Sequence, residues 1–288
     1  MVARMIPCAW TVVCLSFVQS QPIETSTRAV VDKAAAYVKD YQQKLTSLLA
    51  DETYTQDVVM QVPRDPKAPI SRTLRSEVFF MFAPANRYWM AIRDVIAVDG
   101  VKISDRRDLL DALRTLPAPE VAMTFKASNS RFNIGRTFRN FNEPTLSLLV
   151  LDDLHRARFS FDRKRIDQVD GQVLVTLSFT ERESPTLIVD LKHGRVFSRG
   201  ELLVEAATGR IRRAVLNAKI QDTKVQFVTE YTPDERLGAW VPGVFREHYE
   251  YGVQTANSRS PDRAEYENIR CEAKYTNYRR FETAVRIK

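Results

Sequence analysis

The side chains of this 288-residue chain that could do chemistry are few: three histidines, three cysteines and a handful of neighbouring carboxylates. His155, His193 and His248 stand far apart, and none falls in an H-x-x-x-H spacing that would set two imidazoles on one helix face. Cys8 and Cys14 lie in an N-terminal apolar run without the small residues of a lipoprotein cleavage context, which leaves Cys271 alone. One thiol forms no intramolecular disulfide, and three scattered imidazoles build no zinc site. Cys271 sits in a stretch that reads as a strand, with no histidine near it in sequence to activate the thiol. His248, between Arg246 and Glu250, is expected on a strand face in a cross-strand polar contact. Glu181 and Glu183 flank Arg182, and Asp152-Asp153 precede Leu154. Paired carboxylates serve acid–base chemistry, but acids at the ends of apolar runs read here as solvated turn residues. No G-x-S-x-G elbow, G-x-G-x-x-G turn or phosphate-cradling loop occurs among nine glycines. The expectation is a protein without catalytic residues, metal or cofactor.

The aromatic residues hold the functional promise. Phe80, Phe82, Trp89, Phe159, Phe161, Phe179, Phe227, Tyr231 and Trp240 all fall on or beside predicted strands. Either they form the core beneath the helices, or several line a cavity left partly open, as in concave and mainly apolar ligand sites. A lined cavity would suit a lipid even without a charged anchor, since each buried CH₂ contributes about 0.8 kcal/mol.

Charge and composition narrow the class. The net charge is +7, apolar content 44% and aromatic content 10%, ordinary for a chain that buries a sizeable core. Basic residues are interleaved with acids, and the densest run, HRARFSFDRKR from His155 to Arg165, reads as a solvated strand face rather than a nucleic-acid site. A basic exported protein can also lie against an anionic membrane surface. Residues 1–20 start with one positive charge, run apolar from Met5 to Val18, and end in Val18-Gln19-Ser20. That is the pattern of a secretory signal peptide, too short to span a bilayer comfortably. The chain is therefore expected to be exported, the compartment expected being the periplasm or cell envelope of a bacterium.

Residues 21–27 are a polar leader, and 28–288 read as a single α+β domain. A helix is expected over Arg28–Leu49, with Ala34, Val38, Tyr41, Leu45 and Leu48 in one stripe and Ser26 or Thr27 as its cap. Strands are expected over Glu52–Val62, Thr73–Phe82 and Tyr88–Val98, the last turning at Asp99-Gly100 into Val101-Lys102-Ile103. Ser104 or Asp105 is expected to cap a short helix carrying Leu109, Leu110 and Leu113, and a second helix to span Glu120–Arg131. Thr145–Leu151 is a helical turn or a buried strand; periodicity fits both. Strands then follow at Ala157–Asp162, Gln172–Glu181 and Thr186–Asp190. Val196–Tyr231 reads as three consecutive strands, because Leu202, Val204 and Ala206, then Ala214, Leu216, Ala218 and Ile220, then Val225, Phe227, Thr229 and Tyr231 each recur at period two. Val244–Tyr251 and Asn268–Thr276 complete the set, split by a polar loop, Thr255–Arg263.

The stretches AAAYVKDYQQKL, DETYTQ, RDVIAVDGVKISDR and SNSRFNIGRTFRNFNEPTLSLLVL, with PTLI at Pro185–Ile188 and YTNYRRF at Tyr275–Phe281, resemble a group of uncharacterised exported bacterial proteins. That group brings no activity with it. The strand order and the G-x-L-x-V-x-x-x-T-G-x-I pattern of Gly200–Ile211 resemble, more distantly, the superfamily of the outer-membrane lipoprotein carrier and its receptor. This resemblance implies a strongly curved, half-barrel-like antiparallel sheet, with an N-terminal helix and inserted helices packed on its concave face around lipid acyl chains. The region Arg87–Asn142 has no counterpart in the small carriers.

The leading expectation is therefore a non-enzymatic, exported envelope protein that binds a lipid or an acylated protein. The rival is an interaction or scaffold protein with a filled core, using its sheet edge or polar face. A hydrolase stands third.

Overall fold

A computed structural model describes residues 23–62, 65–84, 87–106, 108–137, 139, 143–190, 194–253 and 265–281. Residues 1–20, expected to be a signal peptide, and Thr255–Arg263, expected to be a polar loop, lie outside these residues. Helix α1 (Thr27–Lys44) is capped by Ser26, whose Oγ accepts the Ala29 N–H. It stops short of the expected Leu49. Ser47 turns the chain with φ at 59°, and Leu48 already belongs to the first strand. The misreading has a physical source: Leu45, Leu48 and Leu49 satisfy a helical stripe, yet Leu48 and Leu49 point to opposite faces of a sheet and are buried in separate clusters.

The strands are β1 (Leu48–Val62), β2 (Asp65–Pro66), β3 (Ile70–Ala83), β4 (Tyr88–Val98) and β5 (Val101–Lys102). Helices α2 (Leu109–Thr115) and α3 (Ala118–Asn129) intervene. Then come β6 (Phe159–Val169), β7 (Gln172–Glu181), β8 (Ile188–Asp190), β9 (Gly194–Val196), β10 (Ser198–Glu205), β11 (Ile211–Ile220), β12 (Thr223–Asp234), β13 (Ala239–Val253) and β14 (Glu265–Arg280). Twelve strands join one antiparallel sheet in the order β5-β4-β3-β1-β14-β13-β12-β11-β10-β7-β6, with β2 appended to β1, while β8 and β9 pair apart. The sheet is curved but not closed, and the α+β class is as expected. The three strands anticipated within Val196–Tyr231 are β10, β11 and β12. At the tight turns Asp99-Gly100 and Asp170-Gly171 both residues take positive φ, the geometry that hairpins favour. The cap of α2 is Asp108, accepting the Asp111 N–H at 3.0 Å, rather than Ser104 or Asp105. Thr145–Leu151 resolves as a buried 3-10 helix, Leu146–Leu151.

Two apolar clusters flank the sheet. The larger lies between α1 and the face that carries Val78, Phe80 and Phe82 of β3. The smaller lies on the other face, where Phe79, Met90 and Ile92 meet Leu109 of α2 and Val121 and Phe125 of α3. The inserted helical segments thus divide between the faces: the 3-10 helix shares the α1 side, and α2 and α3 back the opposite one. The reason is local. The run Val78-Phe79-Phe80-Met81-Phe82 is apolar on both sides, so this end of the sheet needs a cover on each.

Two glycines of the pattern Gly200–Ile211 are explained by close approach. A Cβ on Gly200 would sit 1.8 Å from the Val215 carbonyl oxygen and 2.6 Å from the Phe179 ring. At Gly209, φ is +75° and a Cβ would sit 2.2 Å from the Lys33 carbonyl oxygen of α1. The β10–β11 turn therefore presses its backbone onto the helix, where Lys33 Nζ donates to the Ala206 carbonyl at 3.1 Å. Gly209→Ala is expected to lower stability by about 2 kcal/mol or more, combining left-handed strain with the clash on α1. Chemical denaturation would register it as a lower midpoint at unchanged slope.

Candidate functional site

The nine aromatics singled out by their strand positions converge on one core. Phe80, Phe82, Trp89, Phe159, Phe179, Phe227 and Tyr231 are buried, and Phe161 and Trp240 pack half-buried against them. Strands β3 and β4 bring Phe82 and Trp89 to 5.0 Å between ring centroids, and α1 adds Tyr41 at 5.8 Å from Trp89 and 6.1 Å from Tyr231. Phe80 meets Tyr275 and Tyr278 of β14, at 5.5 and 5.8 Å. Phe227 packs on Phe245 and Tyr249, and Phe159 on Phe161 and Phe179. Trp240 lies apart at the rim beneath the Arg212 guanidinium, 4.0 Å from its ring. Sequence reasoning missed Tyr275, Tyr278, Phe245 and Tyr249 as members. Phe245 and Tyr249 keep an even spacing on β13, which was the available signal, whereas Tyr275 and Tyr278 stand three apart and share a face only because Asn277 between them takes positive φ.

This face is filled. Phe227 is 1% and Tyr231 5% exposed. The filling is imperfect in one respect. Tyr41 Oη, Trp89 Nε1 and Tyr275 Oη are buried without any hydrogen-bond partner. All three lie about Phe80 and Phe82, and burial drives the Tyr41 and Tyr275 hydroxyls well above the usual phenol range. Neighbouring tyrosines are satisfied: Tyr231 donates to the Pro144 carbonyl and Tyr278 to the Pro242 carbonyl.

Helix α1 closes the face with small side chains. Val30, Val31, Ala34, Ala35 and Val38 make most of its buried stripe, with Tyr41 and Leu45 as its large members. Polar contacts fasten it along one flank. Gln42 Nε2 donates to Asp152 at 2.7 Å, and Arg156 reaches Asp32 at 3.4 Å.

Below the aromatic layer runs a buried polar chain. Glu247 accepts from Tyr54 at 3.0 Å and from Tyr249 at 2.6 Å. Arg139 donates to Gln56 at 2.6 Å, to the Ile134 carbonyl at 3.0 Å and to Cys271 Sγ at 3.3 Å. Burial, with Glu247 nearby, pushes the Cys271 thiol up to about 12, so it stays protonated and is a poor nucleophile. Of the four acids read as solvated turn residues, Glu183 and Asp153 are exposed, but Glu181 and Asp152 are buried clamps. Glu181 accepts from the backbone N–H of Leu187 and of Ser198 and from the Ser198 hydroxyl, and Asp152 holds Gln42, Arg87 and the Leu154 N–H. His155 sits against Arg158, His248 against Asn268, and His193 lies outside the described residues. Among the described residues, no three His, Cys, Asp or Glu side chains converge to hold a metal ion.

No protein-family model and no curated protein sequence matches the chain. Solved structures give distant likenesses. One is a putative outer membrane lipoprotein-sorting protein domain from Vibrio parahaemolyticus, 9% identical, covering 89% of this chain and 95% of that one, with TM-score 0.32. Another is a DUF1329 family protein from Desulfovibrio piger, 13% identical, covering 90% and 95%, with TM-score 0.37. A third is lipovitellin, 6% identical, covering 84% of this chain and 26% of that one, with TM-score 0.33. At these TM-scores the likenesses carry no argument for function.

The unpartnered hydroxyl of Tyr41 and the satisfied one of Tyr249 give opposite expectations. Tyr41→Phe removes a buried group without a partner and leaves stability unchanged or raises it by about 1 kcal/mol. Tyr249→Phe takes a donor from buried Glu247 and lowers stability by about 1–3 kcal/mol. Paired urea melts measure both.

Proposed function

We propose that this protein binds a hydrophobic ligand, a lipid or lipoprotein acyl chain, in the cell envelope, holding it against the aromatic face of the sheet in place of helix α1. It does so without catalysis. The observation that carries this reading is the trio of buried, unpartnered polar atoms on Tyr41, Trp89 and Tyr275 within an otherwise apolar layer. An unsatisfied buried polar group costs about 1–3 kcal/mol, so three of them, one on α1 itself and two on the strands, favour a state in which that helix moves aside. The small side chains of α1 support the same view. They bury less apolar area than the rings they cover, and an acyl chain of roughly fifteen methylenes returns ~12 kcal/mol on burial. An envelope location is supported by the charged start and apolar run of residues 1–20.

The filled core favours a second reading, an envelope interaction or scaffold protein. Native mass spectrometry of gently purified protein separates the two. A co-purified lipid, or one-to-one uptake of oleate or of a diacylated lipopeptide, is expected. Apo protein alone, with no uptake of either probe, overturns ligand binding and leaves the filled-core reading.

A further inference from the structure

The sheet surface facing away from the aromatic core carries charge that its own neighbours do not balance. On β12, β13 and β14 the outward charges pair off: Arg246 lies 2.9 Å from Glu230 and 2.7 Å from Glu272, and Lys274 lies 3.1 Å from Glu272. Across β6, β10 and β11 the pattern changes. Lys164, Arg199, Arg213 and Lys219 are exposed, and none has an ion-pair partner among the described residues. Lys219 even stands directly opposite Lys224, a like-charge placement that costs a sheet stability, and Lys224 is balanced by Glu250 on its far side.

These cations border two concavities on one strip. A cleft of about 290 Å³ is lined by Lys164, Arg165, Arg213 and Leu203, with Glu201 as its one carboxylate. A second, of about 610 Å³, is lined by Arg199, Lys219 and Lys224, by the carboxylates of buried Glu181 and of Glu250, which Lys224 pairs, and by Phe197, which is 49% exposed. The register ties the two together, since Arg213 and Leu203 face each other across the β10–β11 pair, as do Asn217 and Arg199. From Arg213 to Lys219 the strip runs along one strand face for roughly 20 Å, at ~3.4 Å per residue.

We propose that this strip docks an extended acidic segment of a partner polypeptide. Its carboxylates meet the four cations, and one apolar side chain rests on Phe197. The length suits about six extended residues. The concavity suits a chain rather than a bilayer, which meets flat or convex surfaces. The site lies on the opposite face from the ligand site proposed above, so either can fail while the other stands.

Fluorescence anisotropy with a fluorescein-labelled hexaglutamate ending in phenylalanine tests the proposal on the full chain. Binding is expected at low ionic strength and should weaken as salt rises. The double variant Arg199→Glu/Lys219→Glu should weaken it by about tenfold or more, with the melting temperature retained, because both side chains are exposed. Phe197→Ser should weaken the phenylalanine-ended peptide about threefold and leave plain hexaglutamate unaffected. Arg75→Glu/Lys102→Glu, an equal charge change elsewhere, should leave affinity in place. The proposal falls if the peptide does not bind at low salt, or if the double variant binds as well as the parent. It also falls if the control pair weakens binding equally, or if phosphatidylglycerol vesicles bind through Arg199 and Lys219 and the peptide does not.

Discussion

The pairing of the first strand with the last holds the rest of the structure together. β1 lies against β14 from Leu48↔Arg280 to Gln61↔Tyr266, in the middle of the sheet rather than at an edge. Without that ladder, β3, β4 and β5 would be severed from β6, β7 and β10 to β14. The same pairing sets Tyr275 and Tyr278 of β14 over Phe80 of β3, and so joins the two ends of the chain in one aromatic face. A sheet with such a face must cover it, since exposed apolar patches of this extent drive association. Helix α1 is that cover.

Carboxylates buried at the margins perform a second structural task. Glu143 accepts the Ala91 N–H at the open edge of β4, Glu181 gathers the backbone of Leu187 and Ser198, and Glu267 holds the Arg136 and Thr137 N–H groups. Each gives irregular backbone the acceptors that a strand neighbour would otherwise supply, and charged acceptors make the stronger hydrogen bonds. The long segment between β5 and β6 is anchored to the sheet by these acceptors and by its apolar contacts, Leu109, Val121 and Phe125 on one face and Leu148 to Leu151 on the other. These groups look like catalytic acids when read by type. By geometry they are fasteners.

What could be read in advance followed from local periodicity. Strict alternation made β10, β11 and β12 legible, and the Asp99-Gly100 pair marked a hairpin, because both signals depend on residues close in sequence. The end of α1 was not legible, since Leu45, Leu48 and Leu49 fit a helix and a strand alike. Nor was the placement of α2 and α3 on the second face, which depends on Phe79 and Ile92 being buried there. Seven of the nine aromatics are buried in one cluster and two pack against it, but whether that face opens depends on Tyr41, which arrives from a helix far away in sequence. The buried roles of Glu181 and Asp152 were hidden for the same reason: their partners are distant backbone groups.

Helix α1 as a displaceable cover over a preformed aromatic face is the central claim, and hydrogen–deuterium exchange tests it most directly. With oleate added, the amides of residues 27–44 should lose protection while those of β11 to β14 keep theirs. If α1 stays as protected as β1 and β14 and oleate leaves it unchanged, the helix is a fixed part of the core and the claim is contradicted.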